Sequence, residues 1–216
     1  MSRLATELQR LYVNSVPQGT RALLLEVAAP ADWAELGRAW QGVQADLALP
    51  APAIAVSGTD GLQLWFSLQQ PVDTARAADF LARLQARYLA DLAPARVRLR
   101  ADGGTPAVPA EDAATGNWSA FIAPDLAPVF ADTPWLDIPP GADGQADLLA
   151  RLVPIAPAAF EAAMQALHPA APAAPPTSST GSPDVDPRQF LQRVLNDASA
   201  PLALRVEAAK ALLPKP

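Results

Sequence analysis

The sequence predicts an α+β fold, in which a small, mainly antiparallel sheet carries helices packed on one of its faces. Two observations lead to this class. In some segments apolar residues recur at helical spacing, whereas in others they alternate with polar residues or form short continuous runs. The two kinds of segment follow one another in the order α-β-α-β-β-α-β-β-α-α, which favours helices laid against a sheet.

The first five elements lie within residues 2–68. Leu4, Leu8 and Leu11 fall on one face of the first helix, and Asp32 is a residue type that caps helix starts. A Gly-containing turn over 58–61 joins two short apolar segments, as in a β-hairpin. The predicted elements are a helix over 2–14, a strand over 22–28, a helix over 33–47 and strands over 54–56 and 62–68.

The remaining elements lie between residues 73 and 167. Asp73 or Thr74 begins a long helix whose apolar stripe includes Phe80, Leu84 and Tyr88. Alternating apolar and charged residues then predict a strand. The predicted elements are a helix over 73–92, strands over 97–101 and 118–122 and helices over 145–152 and 157–167, with irregular segments over 102–116 and 124–135.

The pattern divides the chain into three parts. Residues 1–167 form the α+β domain, and residues 168–186 are a Pro/Ala/Ser-rich linker without apolar periodicity. Residues 187–216 predict a helical hairpin, because Phe190 and later apolar residues return at helical spacing. So short a hairpin cannot bury enough surface to be stable alone. We therefore expect it to dock on its own domain, on a second copy or on another protein.

Composition narrows the functional classes. Half of the residues are apolar and 18% are charged, as in a globular protein. A net charge of −6 argues against coating nucleic acid by bulk electrostatics, although a local basic groove remains compatible with it. The absence of Cys excludes disulfides and thiolate sites. The sequence has neither a signal-peptide core nor a membrane-spanning run, so we expect a cytoplasmic protein without a membrane partner.

The hairpin segment Ser57-Gly-Thr-Asp-Gly-Leu-Gln-Leu-Trp-Phe66 carries the clearest motif. It resembles the Ser/Gly-Gly-Leu-His motif of the archaeo-eukaryotic primase superfamily, and plasmid RepB-type members look closest because they too carry glutamine and tryptophan after the turn. The resemblance covers about residues 20–100. It implies an RRM-like, primase-like core in which two acids on one strand and a third on a later strand bind two divalent metals, and the histidine contacts the nucleotide phosphate.

Against that family pattern the catalytic residues are incomplete. The strand over 22–28 keeps Glu26 but has Ala28 where the second acid belongs, and Gln63 stands in the place of the histidine. One carboxylate cannot hold two metal ions against their hydration. We therefore expect no working polymerase, no catalytic residue and no cofactor. A divalent metal would be present only if the chain were an active primase, with Glu26 as its one candidate ligand.

A binding role would use the hairpin and the arginine-rich strand. Side chains two residues apart share a strand face, so three arginines could line a phosphate groove or simply belong to a solvated edge strand. Trp65 lies on the same polar strand face as Gln63, where it could stack a base or be covered by the 102–116 loop. The candidate nucleotide- or nucleic-acid-binding residues are Ser57, Gly58, Gly61, Gln63, Trp65, Arg96, Arg98 and Arg100.

The C-terminal segment carries a second resemblance. Asp186-Pro-Arg-Gln-Phe-Leu-Gln-Arg-Val-Leu-Asn-Asp197, followed by Arg205-Val-Glu-Ala-Ala-Lys-Ala-Leu-Leu-Pro214, resembles the helical tail of phage small-terminase-like proteins. Together the resemblances imply a catalytically inactive primase-like domain that binds nucleic acid or nucleotide as an accessory of a phage or mobile element. The alternative is a protein–protein interaction module that docks, or self-associates, through residues 187–216 and has no nucleic-acid role.

Overall fold

A computed structural model describes residues 2–14, 19–102 and 107–168. Within these ranges the α+β class and the predicted order of elements are confirmed. The expected tail, and the expected linker beyond His168, lie outside the described residues. The elements are α1 (Arg3–Tyr12), β1 (Thr20–Ala28), α2 (Trp33–Ala45), β2 (Ala53–Val56), β3 (Gly61–Val72), α3 (Thr74–Tyr88), β4 (Val97–Arg100), β5 (Ala120–Ile122), α4 (Ala142–Ala150) and α5 (Pro157–Ala166), with 3₁₀ turns at Pro94–Arg96 and Ala127–Phe130.

The five strands form one sheet in the order β4-β1-β3-β2-β5, and all neighbouring strands are antiparallel. The segment from β1 to β4 has the β-α-β-β-α-β order of a split β-α-β unit, with its strands arranged 4-1-3-2. The two longest strands, β1 and β3, lie at the centre. Their register places Glu26 opposite Gln63, and Arg98 of β4 lies on the other side of Glu26.

Helices cover both faces of the sheet, so the expectation that they pack on one face is wrong. Leu23 and Leu25 belong to a first apolar cluster with α2, α3 and α5. Leu24 belongs to a second apolar cluster, which contains Leu11 of α1 and Leu149 of α4. The physical reason lies in β1 itself. Its apolar residues are consecutive, so its side chains need burial on both faces.

On the outer edge of β5, a side chain provides the hydrogen-bond partners of the backbone. Gln145, a buried residue of α4, accepts a hydrogen bond from the Phe121 amide at 2.8 Å and donates one to the Phe121 carbonyl at 2.8 Å. Its amide thus replaces a neighbouring strand at this position and prevents another chain from pairing there. None of the helices in the described ranges is long and apolar enough to cross a membrane.

Candidate functional site

The turn between β2 and β3 is organised by one hydroxyl. Ser57 Oγ accepts hydrogen bonds from the backbone amides of Thr59, Asp60 and Gly61 at 3.1, 3.1 and 2.9 Å. The Ser57 amide in turn donates to the Gly61 carbonyl at 2.9 Å. Because these amides point inward at Ser57, they are not presented to a phosphate group. The serine of the motif therefore has a structural role in this turn.

Both glycines of the motif are explained by close packing. Gly58 has φ +82°, and a Cβ there would lie 2.8 Å from the Ser119 amide nitrogen. A Cβ on Gly61 would lie 2.9 Å from Cγ of Glu26. Left-handed backbone and close approach are the two conditions that favour glycine. The side chain that requires Gly61 is thus the acid of the neighbouring strand.

A row of polar side chains crosses the sheet, and we call Trp65, Gln63, Glu26, Arg98 and Asp60 the polar chain. The indole Nε1 of Trp65 donates to Gln63 Oε1 at 2.8 Å, and Gln63 Nε2 donates to Glu26 Oε2 at 2.8 Å. An Arg98 nitrogen donates to Glu26 Oε1 at 2.6 Å. The same guanidinium also donates to both oxygens of Asp60, at 2.7 and 2.8 Å.

The hydrogen bonds within the polar chain stabilise the charged forms of Asp60 and Arg98. Glu26, Gln63 and Trp65 are 5%, 2% and 3% exposed, so each polar atom needs its partner. Hydrogen bonding from Arg98 lowers the pKa of Asp60, and hydrogen bonding to Asp60 and Glu26 raises the pKa of Arg98. Each oxygen of Glu26 already accepts a hydrogen bond. Within the described ranges, no group of three or more His, Cys, Asp or Glu side chains could hold a metal ion.

The structure brings some of the predicted residues together and separates Arg96 from them. Pro94 begins a 3₁₀ turn that contains Arg96, so β4 starts only at Val97. The Arg96 guanidinium donates to the Pro30 carbonyl and to Glu35 Oε2 of α2, the latter at 2.9 Å. The expectation that three arginines share one strand face is therefore wrong. Arg98 and Arg100 remain two residues apart in β4.

Trp65 is buried, and the expectation that it could stack a nucleic-acid base is wrong. Its ring meets Tyr12 edge-on at 5.2 Å between centroids and Phe121 at 5.7 Å. Tyr12 comes from α1, which covers this face of the sheet. The phenol oxygen of Tyr12 is buried and has no hydrogen-bond partner among the residues that the structure describes, and burial raises the pKa of this phenol.

A cavity of about 330 Å³, which sequence reasoning missed, lies at the end of the sheet where β2 begins and β5 ends. Its walls come from segments far apart in the chain, so no local pattern marks it. They include Trp40 of α2, Leu148 and Leu149 of α4, and Ile122 of β5. No residue of the polar chain lines it.

Comparison of the chain with known protein families, with curated proteins and with solved structures finds no match. The functional argument therefore depends on the geometry of the polar chain and of the surfaces around it.

Proposed function

We propose that this chain is a non-catalytic protein that acts by binding a protein partner, with its RRM-like body as the scaffold. The observation that carries the proposal is the state of Glu26, whose two carboxylate oxygens are bound by Gln63 and Arg98. The motif that resembles a nucleotide-binding hairpin thereby connects three strands of the sheet.

Several features speak for a structural role of this motif and against catalysis. Two-metal nucleotidyl transfer needs carboxylates that are free to ligate cations. Glu26 is buried and paired, and the residue two positions later is Ala28. Releasing Glu26 for a metal would leave the Gln63 amide unpaired inside the protein, which is costly. Gln63 itself is engaged at both ends of its amide.

Other features favour a protein partner over nucleic acid. In RRM domains the bases stack on aromatic side chains of an open sheet face. Here helices cover both faces, and the candidate aromatic Trp65 is buried. The net charge of −6 also disfavours phosphate backbones. By contrast, Leu126 and Val129 expose 49% and 71% of their surface within one short segment, as residues of a contact surface do.

A second candidate is a nucleic-acid- or nucleotide-binding accessory of a phage or mobile element, derived from a primase-like domain. The β4-β1-β3-β2 strand order favours it, because an RRM-like core has this order. Arg98 and Arg100 are also exposed on β4, at the edge of the sheet. In this candidate the bound phosphates would lie along that edge and not on the sheet faces.

The two candidates are separated by experiments on the full-length chain. Fluorescence anisotropy with short single-stranded DNA at low salt is expected to show no binding, and primer synthesis with Mn²⁺ is expected to be absent. Affinity capture is expected to yield one reproducible protein, whose purified form binds the full chain and not a chain lacking residues 183–216. DNA binding that Arg98→Gln and Arg100→Gln abolish would establish the second candidate instead. Primer synthesis abolished by Glu26→Ala would overturn both.

A further inference from the structure

The cavity at the β2–β5 end is an apolar recess with a fixed aromatic wall. Its floor and sides are formed by alanine, proline, isoleucine and leucine side chains. The Trp40 indole is held in place because its Nε1 donates to the Pro52 carbonyl at 3.1 Å. The volume of the recess, about 330 Å³, is near the lower end of the range for small-molecule sites. The recess therefore suits a compact ligand with a large apolar part.

Two residues of opposite charge are among those that line this recess. Arg151, just after α4, and Asp125, just after β5, both line the cavity and are exposed. Within the part of the chain that the structure describes, neither side chain has a hydrogen bond or an ion pair. They do not pair with each other either. Among the described residues, a cation and an anion without side-chain partners thus line the same apolar space.

We propose that this cavity binds a free α-amino acid with a large apolar side chain, preferably an aromatic one. The side chain would fill the recess against Trp40, where aromatic rings pack favourably. The ligand carboxylate would meet Arg151, whose planar guanidinium binds carboxylates in a bidentate manner. The ligand ammonium would meet Asp125. This inference goes beyond the proposed function, because it uses none of the residues of the polar chain.

Isothermal titration of the full-length protein with chosen probes tests the chemistry. L-Phenylalanine is expected to bind saturably. 3-Phenylpropanoate lacks only the ammonium and phenethylamine lacks only the carboxylate, so each is expected to bind at least about tenfold more weakly, as for the loss of one charge-assisted hydrogen bond. Glycine, which has no apolar part, is expected not to bind. 3-Phenylpropanoate binding as tightly as L-phenylalanine would overturn the role of Asp125 and with it the proposal.

Variants locate the site. Arg151→Gln is expected to weaken L-phenylalanine binding about tenfold, whereas Arg38→Gln, an exposed arginine of α2 outside the cavity, should leave it unchanged. Ala123→Trp places a large ring in the recess and is expected to abolish binding. Circular dichroism checks that each variant is folded. In the unaltered protein, amide shifts on titration should centre on residues 122–125 and 148–152. Shifts elsewhere, or affinity weaker than about 1 mM, would overturn the proposal.

Discussion

Glu26 is the residue on which the polar chain depends. It accepts from Gln63 on β3 and from Arg98 on β4, so one carboxylate connects the three strands at the centre and edge of the sheet. Arg98 also donates to a second acid, Asp60, whereas Glu26 is the one acceptor of Gln63 Nε2 within the described part of the chain. Replacing Glu26 therefore affects Gln63 most, because the amide nitrogen of Gln63 loses its acceptor.

We predict that Glu26→Ala lowers the free energy of unfolding by about 1–3 kcal/mol, because it leaves a buried amide nitrogen without an acceptor. Urea denaturation followed by circular dichroism measures this. Glu111→Ala is the matched control, since Glu111 is exposed and its side chain has no partner in the described ranges; its effect should stay within about 0.5 kcal/mol. Equal losses in the two variants would contradict a special role for Glu26.

The pH dependence of stability should report on Asp60. Its hydrogen bond from Arg98 lowers its pKa below the ordinary 3.8, so the unfolded chain takes up the proton first as pH falls. The stabilisation is then complete only well above the ordinary pKa of 3.8 and is lost as pH falls from there through the lower pKa of the folded state. We expect Asp60→Asn to destabilise the protein at pH 7, with the difference from the unaltered chain shrinking between pH 4 and pH 2. A difference that does not change with pH would count against this pairing.

For individual residues, the sequence predicts which side chains share a strand face better than it predicts whether those side chains are buried. Alternation places Gln63 and Trp65 on one strand face, and the structure confirms that they are neighbours there. The burial of Trp65 involves Tyr12 of α1 and Phe121 of β5, which are distant from it in sequence. A local pattern cannot indicate which distant element will cover a polar face.

Strand β5 depends on a side chain for part of its backbone hydrogen bonding. It has three residues and, among the described strands, pairs with β2 alone, while its other edge faces Gln145. Both backbone groups of Phe121 on that edge are buried with the glutamine amide. The end of the sheet is thus completed by α4.

We predict that Gln145→Leu costs about 1–3 kcal/mol for each backbone group it leaves unpaired, because leucine fills the space without replacing either hydrogen bond. Chemical denaturation measures the loss, and hydrogen exchange at the Phe121 amide should accelerate. Gln165→Leu, an exposed glutamine of α5, serves as the control and should change neither quantity. Unaltered exchange at Phe121 in Gln145→Leu would show that the amide has another partner.

For the helices α2 and α3, the first residue can be predicted from the sequence more accurately than the last residue. Asp32 and Asp73 cap α2 and α3 as expected, each accepting from the backbone amide two residues later at 2.8 Å. The expected end of α3 at residue 92 is wrong, since the helix stops at Tyr88. Leu89 and Leu92 are buried beyond the helix, so their spacing continues the apolar stripe although the chain has already turned. Capping depends on neighbouring residues, whereas helix length depends on tertiary packing.

For the molecule as a whole, the sheet is shared by two apolar clusters. Leu36 of α2 belongs to the first cluster and Leu11 of α1 to the second, and both are fully buried. Strand β1 contributes to both through Leu23, Leu24 and Leu25. Unfolding one face would expose the other side of the same strand, so the two faces should unfold together.

We predict that Leu36→Ala and Leu11→Ala each lower the free energy of unfolding by about 2–5 kcal/mol and leave one cooperative transition. Tryptophan fluorescence and far-ultraviolet circular dichroism should give coincident denaturation curves for both variants. Separate transitions in Leu11→Ala would mean that α1 and its cluster unfold independently of the rest of the sheet.

The contact between Gly61 and Glu26 also limits how such sequences can diverge. Because any Cβ at position 61 would meet Cγ of Glu26, the two positions are constrained as a pair. A homologue with alanine at 61 should carry a shorter residue at 26, and one that keeps the long acid should keep glycine. Substitutions at position 61 of the hairpin are therefore expected to be coupled to substitutions at position 26, in a strand 35 residues earlier in the chain.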